Sequence, residues 1–228
     1  MRELVDMTVR YGNVVALDGV SVRIADGERV AVVGPNGAGK TTLLKAFVVP
    51  RASPVQTAMV PQTIPADLHL VARDFVMLGR TSRLSAWRSP SRADEEAVDR
   101  ALAAVDATAL AGRRMDAISG GERQRLALAL ALATDAPCLL LDEPAAHLDF
   151  RRRSELFALL ARIGKTVVMA LHELPFDTDF FTRVIMMSAG RIVADGSPDS
   201  VLTEENLQRA YGVPVRIASR RMVFCCPS

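Results

Sequence analysis

Gly34-Pro35-Asn36-Gly37-Ala38-Gly39-Lys40-Thr41-Thr42 follows directly on the apolar run Val30-Ala31-Val32-Val33. The stretch predicts a strand that runs into a glycine-rich loop and then into a helix beginning at Lys40. It fits the pattern G-x-x-x-x-G-K-[ST], whose backbone N–H groups cradle the phosphates of a nucleotide. Gly34, Gly37 and Gly39 permit the turns that aim those groups inward, and the helix start adds its positive dipole end. Lys40 is placed to reach the β- and γ-phosphates, and the hydroxyl of Thr41 to ligate Mg²⁺. Asn36 and Thr42 complete the expected phosphate-contacting set. The first expectation is therefore a bound nucleoside triphosphate.

Composition narrows the setting of that loop. At 228 residues, half of them hydrophobic, the chain is long enough for one large domain or a domain with a subdomain. A net charge of +2 gives no broad electrostatic case for nucleic acid as a partner. The apolar stretch Leu126 to Ala133 is far too short to span a bilayer. The start Met1-Arg2-Glu3-Leu4 lacks the apolar core of a signal peptide, so the expected location is cytoplasmic, with any membrane role peripheral. Cys138 sits in an apolar strand and reads as core. Cys225 and Cys226 have no further ligands nearby to suggest zinc. Arg151-Arg152-Arg153 opens a helix and reads as a solvated face.

Along the chain, strands are expected at Leu4–Arg10, Val20–Ile24, Arg29–Val33, Val55–Val60, Pro137–Leu141 and Thr166–Leu171. A hairpin is expected over Arg183–Ser188 and Ile192–Ala194. Helices are expected at Lys40–Val48, Leu70–Leu78, Arg92–Val105, Gly121–Thr134, Arg151–Ile163 and Thr203–Tyr211, with a polar loop from Arg80 to Pro90. Ser91 and Asp94 form a capping box for the third of these helices. Alternation of strand and helix predicts a mostly parallel sheet with crossover helices. The mostly helical stretch of about 63–130 is the natural subdomain, inserted between nucleotide-core segments 1–62 and 131–228.

Four further segments carry chemistry. Cys138-Leu139-Leu140-Leu141-Asp142-Glu143 is an apolar strand ending in two carboxylates. Asp142 is placed to hold Mg²⁺, and Glu143 to take a proton from an attacking water. Ile118-Ser119-Gly120-Gly121-Glu122 opens a helix with a serine and two glycines, a second phosphate-binding terminus. Ala146-His147-Leu148-Asp149 and Leu171-His172-Glu173 follow downstream. His69 and His147 lack metal-ligand spacing and read as non-catalytic. Met186 and Met187 read as core.

With these residues in order, nearly the whole chain resembles the ATP-binding cassette (ABC) ATPases. Residues 34–41 resemble the Walker A loop and 138–143 Walker B. Residues 118–122 resemble the family signature, with Ile for the usual Leu and Glu for the frequent Gln. Gln62 stands for the Q-loop glutamine, Leu148-Asp149 for the D-loop and His172 for the switch histidine. Tyr11 stands where the family stacks an aromatic on adenine. The resemblance implies a P-loop NTPase core of α/β class with a mostly parallel sheet, an antiparallel β-subdomain and an inserted helical subdomain. It implies ATP and Mg²⁺ as cofactors, with Thr41, Gln62 and Asp142 at the metal and Glu143, His172 and Gln62 in catalysis. It also implies that Ser119, Gly120 and Gly121 of a second cassette, an identical one in a homodimer, face the γ-phosphate held by Lys40.

Without a membrane span of its own, such a cassette works beside transmembrane permease subunits on the cytoplasmic face of the membrane, and indirectly with a substrate-binding protein. Arg73 to Arg80, the loop to Pro90, the Ala-His-Leu-Asp form of the D-loop and the tail Thr203 to Pro214 resemble cassettes for iron–siderophore, haem, cobalamin and manganese/zinc uptake. Uptake of a metal or metal chelate is therefore expected over export, or over the soluble repair and translation members. Those last carry a long coiled coil or a second cassette. One departure stands out: the chain is short between Lys40 and Gln62, where Pro50-Arg51-Ala52-Ser53-Pro54 bridges directly. The antiparallel β-subdomain is therefore expected to be reduced.

Overall fold

The computed structural model describes residues 1–48, 56–65, 67–83, 89–145, 148–172, 178–218 and 221–224. The strands are β1 (Arg2–Tyr11), β2 (Val14–Ile24), β3 (Arg29–Val33), β4 (Thr57–Val60), β5 (Cys138–Asp142), β6 (Thr166–Ala170), β7 (Arg183–Ser188), β8 (Arg191–Gly196), β9 (Val215–Ala218) and β10 (Arg221–Phe224). The α-helices are α1 (Lys40–Ala46), α2 (Ala72–Met77), α3 (Arg92–Ala104), α4 (Gly120–Ala133), α5 (Phe150–Ile163), α6 (Pro198–Val201) and α7 (Glu204–Tyr211). The bridging segment Pro50–Pro54, His147, Glu173, Cys225 and Cys226 lie outside the described residues.

The chain divides into two units. The first comprises Met1–Val48, Leu141–Glu143 and Gly164–Ser228. Its sheet runs β5-β6-β3-β7-β8, with only the last residues of β5 belonging to this unit. β3 pairs in parallel with both β6 and β7, and β8 closes the edge antiparallel to β7. Strands buried on both faces read as continuous apolar runs, and Val30, Ala31 and Val32 are wholly buried. Two small antiparallel pairs, β1–β2 and β9–β10, stand apart from this sheet.

β2 begins at Val14, six residues earlier than the sequence reading placed it. Gly19 sits in an irregular ladder at φ +61°, and the strand continues through it. Opposite it, Asp6 also takes a positive φ, and the side chains of Ser21 and Thr8 accept the N–H groups of Asp6 and Gly19 at 2.9 and 3.1 Å. Side chains thus replace the ladder bonds lost at the bulge. The four-residue helix α6 was also missed, being too short to show a periodicity.

The second unit comprises Val49–Leu140 and Pro144–Ile163. α3 starts where expected, with both arms of the Ser91–Asp94 capping box formed. α4 is apolar around most of its circumference and buries seven residues, from Leu126 to Ala133. Part of the expected loop from Arg80 to Pro90 is instead a 3₁₀ turn over Leu78–Arg83.

The centre of this unit is charged. Arg80 is buried, and its guanidinium donates to Asp94 Oδ1 at 2.9 Å, to the Ala133 carbonyl at 2.7 Å and to Asp135 Oδ2 at 2.6 Å. One cation thereby joins the start of α3 to the end of α4. The first two contacts suit the helix dipole, an acid in a first turn and a base at a last carbonyl.

Candidate functional site

The site grows from the end of β3. Gly34 leaves the strand with its Cα against the next strand: a Cβ there would lie 2.2 Å from the Met187 carbonyl oxygen. Gly39, at φ +99°, packs the same way, and its Cβ would fall 2.4 Å from the Ala16 carbonyl oxygen. Backbone therefore lies directly on backbone at both ends of the loop, where only glycine fits. The Gly190 turn between β7 and β8 is seated against the same Ala16 carbonyl, and its N–H donates to Ala38 O at 3.1 Å. Asn36 and Gly37 form the exposed crest.

Lys40 is 7% exposed, and its ammonium turns back into the loop. It donates to Gly34 O at 2.7 Å and to Pro35 O at 3.1 Å. Burial lowers its pKa below the ordinary lysine range, while the carboxylates of Glu143 and Asp142 work in the opposite direction. A cation held over main-chain carbonyls in a concave loop is poised to pass its N–H groups to phosphate oxygens. Thr42 is half-buried in the first turn of α1.

Two carboxylates stand beside it. Asp142 is buried at the end of β5 and accepts the Thr41 hydroxyl at 3.1 Å. A hydroxyl and a carboxylate this close form a hard oxygen donor pair. Such a pair suits Mg²⁺, which takes few protein ligands and completes its shell with water and phosphate oxygens. Glu143 follows at φ +49°, its N–H bonded to Ala170 O at 3.0 Å. The left-handed backbone costs a non-glycine residue about 1–2 kcal/mol. It turns the chain abruptly out of the strand.

Lys40, Thr41, Asp142 and Glu143 are thus brought together in the first unit. His172 lies exposed one residue beyond Leu171, whose N–H reaches Val32 O at 2.9 Å. Tyr11 is 57% exposed at the tip of the β1–β2 hairpin, cross-strand from Val14, itself 67% exposed.

The other expected residues lie in the second unit. Ser119 caps α4, with Gly120 and Gly121 as its first residues. The Ser119 hydroxyl donates to Glu122 Oε2 at 2.5 Å, and the Ser119 N–H reaches the same oxygen at 2.9 Å. Those bonds hold the Glu122 carboxyl below its usual range. S-x-x-E is itself a capping box, so Glu122 closes on Ser119 both as acceptor and as the capped residue. Gln62 is exposed just past β4, and Gln124 donates to the neighbouring Pro61 carbonyl at 3.5 Å. Among the described residues no group of three or more His, Cys, Asp or Glu side chains could hold a metal. No helix among them is long and apolar enough to cross a membrane.

Comparison with known proteins agrees with this geometry. The family model for ABC transporters matches residues 17–146. The hemin import ATP-binding protein HmuV of Nocardia farcinica is 40% identical over 226 residues, 88% of this chain and 77% of that protein. The manganese transport system ATP-binding protein MntB of Bacillus subtilis is 34% identical, covering 92% of each. An inward-facing ABC transporter described as of the metal-chelate type superposes with a TM-score of 0.81 at 24% identity, over 97% of this chain and 94% of that one. The strand, loop and carboxylate geometry, the family model and the relatives converge: this chain belongs to the ABC transporter family and is an ATP-binding, ATP-hydrolysing cassette.

Proposed function

We propose that this cassette powers uptake of a metal or metal chelate through a separate membrane permease, docking peripherally on its cytoplasmic side. The observation that carries the proposal is similarity, over 88–92% of this chain, to ATP-binding proteins named for import of hemin and cobalamin and for manganese transport, of whose own lengths it spans 77%, 56% and 92% respectively. We further infer that it works as a pair of identical cassettes. In that pair Ser119, Gly120 and Gly121 of one copy complete the phosphate site of the other.

In the mechanism we propose, ATP lies with its phosphates on the loop N–H groups from Gly34 to Thr42, Asn36 and Gly37 included, and its adenine against Tyr11. Lys40 transfers its donors from the Gly34 and Pro35 carbonyls to the β- and γ-phosphates. Thr41 and Asp142, with Gln62, would hold Mg²⁺, which when bound neutralises charge developing on the phosphates. Glu143 accepts a proton from the attacking water while His172 orients the γ-phosphate. Once the bridging γ-phosphate is cleaved, the cassettes lose what held them together. Ser119 must exchange its bond to Glu122 for one to phosphate as the pair closes.

Replacing Lys40 with Ala is expected to weaken ATP binding about ten- to a hundredfold, the range for charge-assisted hydrogen bonds. Calorimetric titration measures it, and near-parental affinity would place the nucleotide elsewhere. The transport reading is tested by co-expressing the chain with any multi-span permease and binding protein found in the neighbouring reading frames, then reconstituting the complex in vesicles. ATP-dependent accumulation of haem, cobalamin or Mn²⁺ on the cassette side is expected. Movement only in the opposite direction would make it an exporter.

A further inference from the structure

We propose that the Glu122 carboxylate is the resident anion at the start of α4 in the unpaired cassette, holding the Ser119 donors until the γ-phosphate on a partner displaces it, and that its charge thereby sets how tightly two ATP-loaded cassettes pair. The proposal rests on the paired-cassette reading above. The phosphate site is the one already described, and what is added is its competitor.

The competition is built into the first turn of the helix. Ser119 is the N-cap of α4, and Glu122 stands three residues on. One carboxylate oxygen, Glu122 Oε2, takes both donors that Ser119 has: the hydroxyl at 2.5 Å and the N–H at 2.9 Å. The Glu122 N–H reaches back to the Ser119 hydroxyl at 3.4 Å, so the ring closes in both directions. A serine hydroxyl carries a single proton, so it serves the carboxylate or a phosphate but never both. Bonds to an ionised acceptor are also roughly twice as strong as bonds to a neutral one.

The surroundings favour an anion at this point. Gly120 and Gly121 open the helix, and their N–H groups are among those that a helix leaves without an internal acceptor. Lacking side chains, they let two guanidinium groups come close: a Cβ on Gly121 would lie 3.4 Å from Arg152 Nη1, and one on Gly120 4.0 Å from Arg123 Nη2. Arg152 is held there from α5, its N–H donating to Asp149 Oδ1 at 2.9 Å and its Nε 3.7 Å from Asp149 Oδ2. Arg123 donates to the Ile118 carbonyl at 2.5 Å. Cations beside a helix N-terminus are repelled by its dipole, so two of them there call for a negative charge. Glu122 supplies it. A γ-phosphate arriving on a partner must break two charge-assisted bonds and then lie beside the displaced carboxylate. Both costs oppose pairing, and both come from the charge of Glu122 rather than its shape.

The test uses the full chain carrying Glu143→Gln, in which slow hydrolysis leaves the pair closed. Sedimentation equilibrium with saturating ATP and Mg²⁺ gives the dissociation constant of the pair. Adding Glu122→Gln keeps the side-chain length and an acceptor oxygen, so the capping box persists while the charge is lost. The dissociation constant is expected to fall about 25- to 100-fold, since a charged acceptor exceeds a neutral one by about five- to tenfold per site and an identical pair has two sites. Arg152→Gln in the same background should raise it about threefold or more, because it removes positive charge from the same terminus. The affinity of the dilute, unpaired chain for ATP should stay parental in both variants, as should the melting temperature with Glu122→Gln. A dissociation constant that does not fall with Glu122→Gln overturns the role, as does a fall that tighter ATP binding by the dilute chain accounts for. So does a value that does not rise with Arg152→Gln. If the Glu143→Gln chain stays monomeric with ATP at every concentration, with and without Glu122→Gln, the paired-cassette reading itself is overturned.

Discussion

Glu143→Gln lowers ATP turnover about 10²–10⁴-fold, the range for removal of a general base, while leaving ATP affinity within a fewfold of the parent. The side chain keeps its size and loses one charge and its proton-accepting oxygen. The left-handed backbone at φ +49° is unchanged, because Gln meets the same steric cost there as Glu. Lys40, Thr41 and Asp142 keep their contacts, so binding survives. If closure of two cassettes needs ATP and reopening needs its hydrolysis, the variant accumulates as an ATP-bound dimer, visible by size-exclusion chromatography with ATP. Steady-state hydrolysis at the parental rate would remove Glu143 from the role of base. A slow variant that stays monomeric with ATP would instead remove the paired-cassette cycle.

Arg80→Met is the second large effect, and it is one of stability. The substitution keeps the apolar stem and removes a buried cation with three partners. The Ala133 carbonyl loses that donor and Asp94 loses its counter-charge, and breaking a buried pair from one side costs about 3 kcal/mol or more. Urea unfolding should show the loss as a lower midpoint at constant slope. Asp135→Asn is the comparison: that side chain is 49% exposed, so its share should be under about 1 kcal/mol.

Asp94 adds a dependence on pH. The Ser91 hydroxyl and N–H, followed by Arg80, hold its pKa at about 2. Its contribution is therefore complete above the unfolded carboxylate value and is lost as pH falls toward 2. In Arg80→Met the loss should be smaller and complete at a higher pH, because the Ser91 bonds remain and the guanidinium does not. Equal stability of variant and parent at pH 7 would show that Arg80 is no pin.

Most of the phosphate site was legible because its signals are local. A run of β-branched residues, three glycines and a lysine specify strand, turn and helix within a dozen positions. The strand ending in Asp142 and Glu143 does the same. Ser119 carries two local signals at once, a capping box with Glu122 three residues on and a place in the phosphate-binding signature, and only the second was read from the sequence. What stayed hidden depends on residues distant in sequence. Nothing near Arg80 announces that its partners are at 94, 133 and 135. The start of β2 at Val14, before the bulge at Gly19, was not legible, because a glycine that ends a strand and one that bends it look alike in sequence. The left-handed turn at Glu143 likewise leaves no trace in composition.

The seat at Ala16 has a consequence for how this gene can drift. Gly39 and Gly190 both press on the carbonyl of Ala16 rather than on its methyl group. Position 16 is therefore constrained through its main chain, whichever residue supplies that carbonyl. An extra carbon at Gly39 would fall 2.4 Å from a backbone oxygen that no rotamer can move, and one at Gly190 would press on it at 3.0 Å from a left-handed backbone at φ +78°. Among relatives of this chain, invariance at 39 and 190 beside variety at 16 would record one contact seen from its two sides.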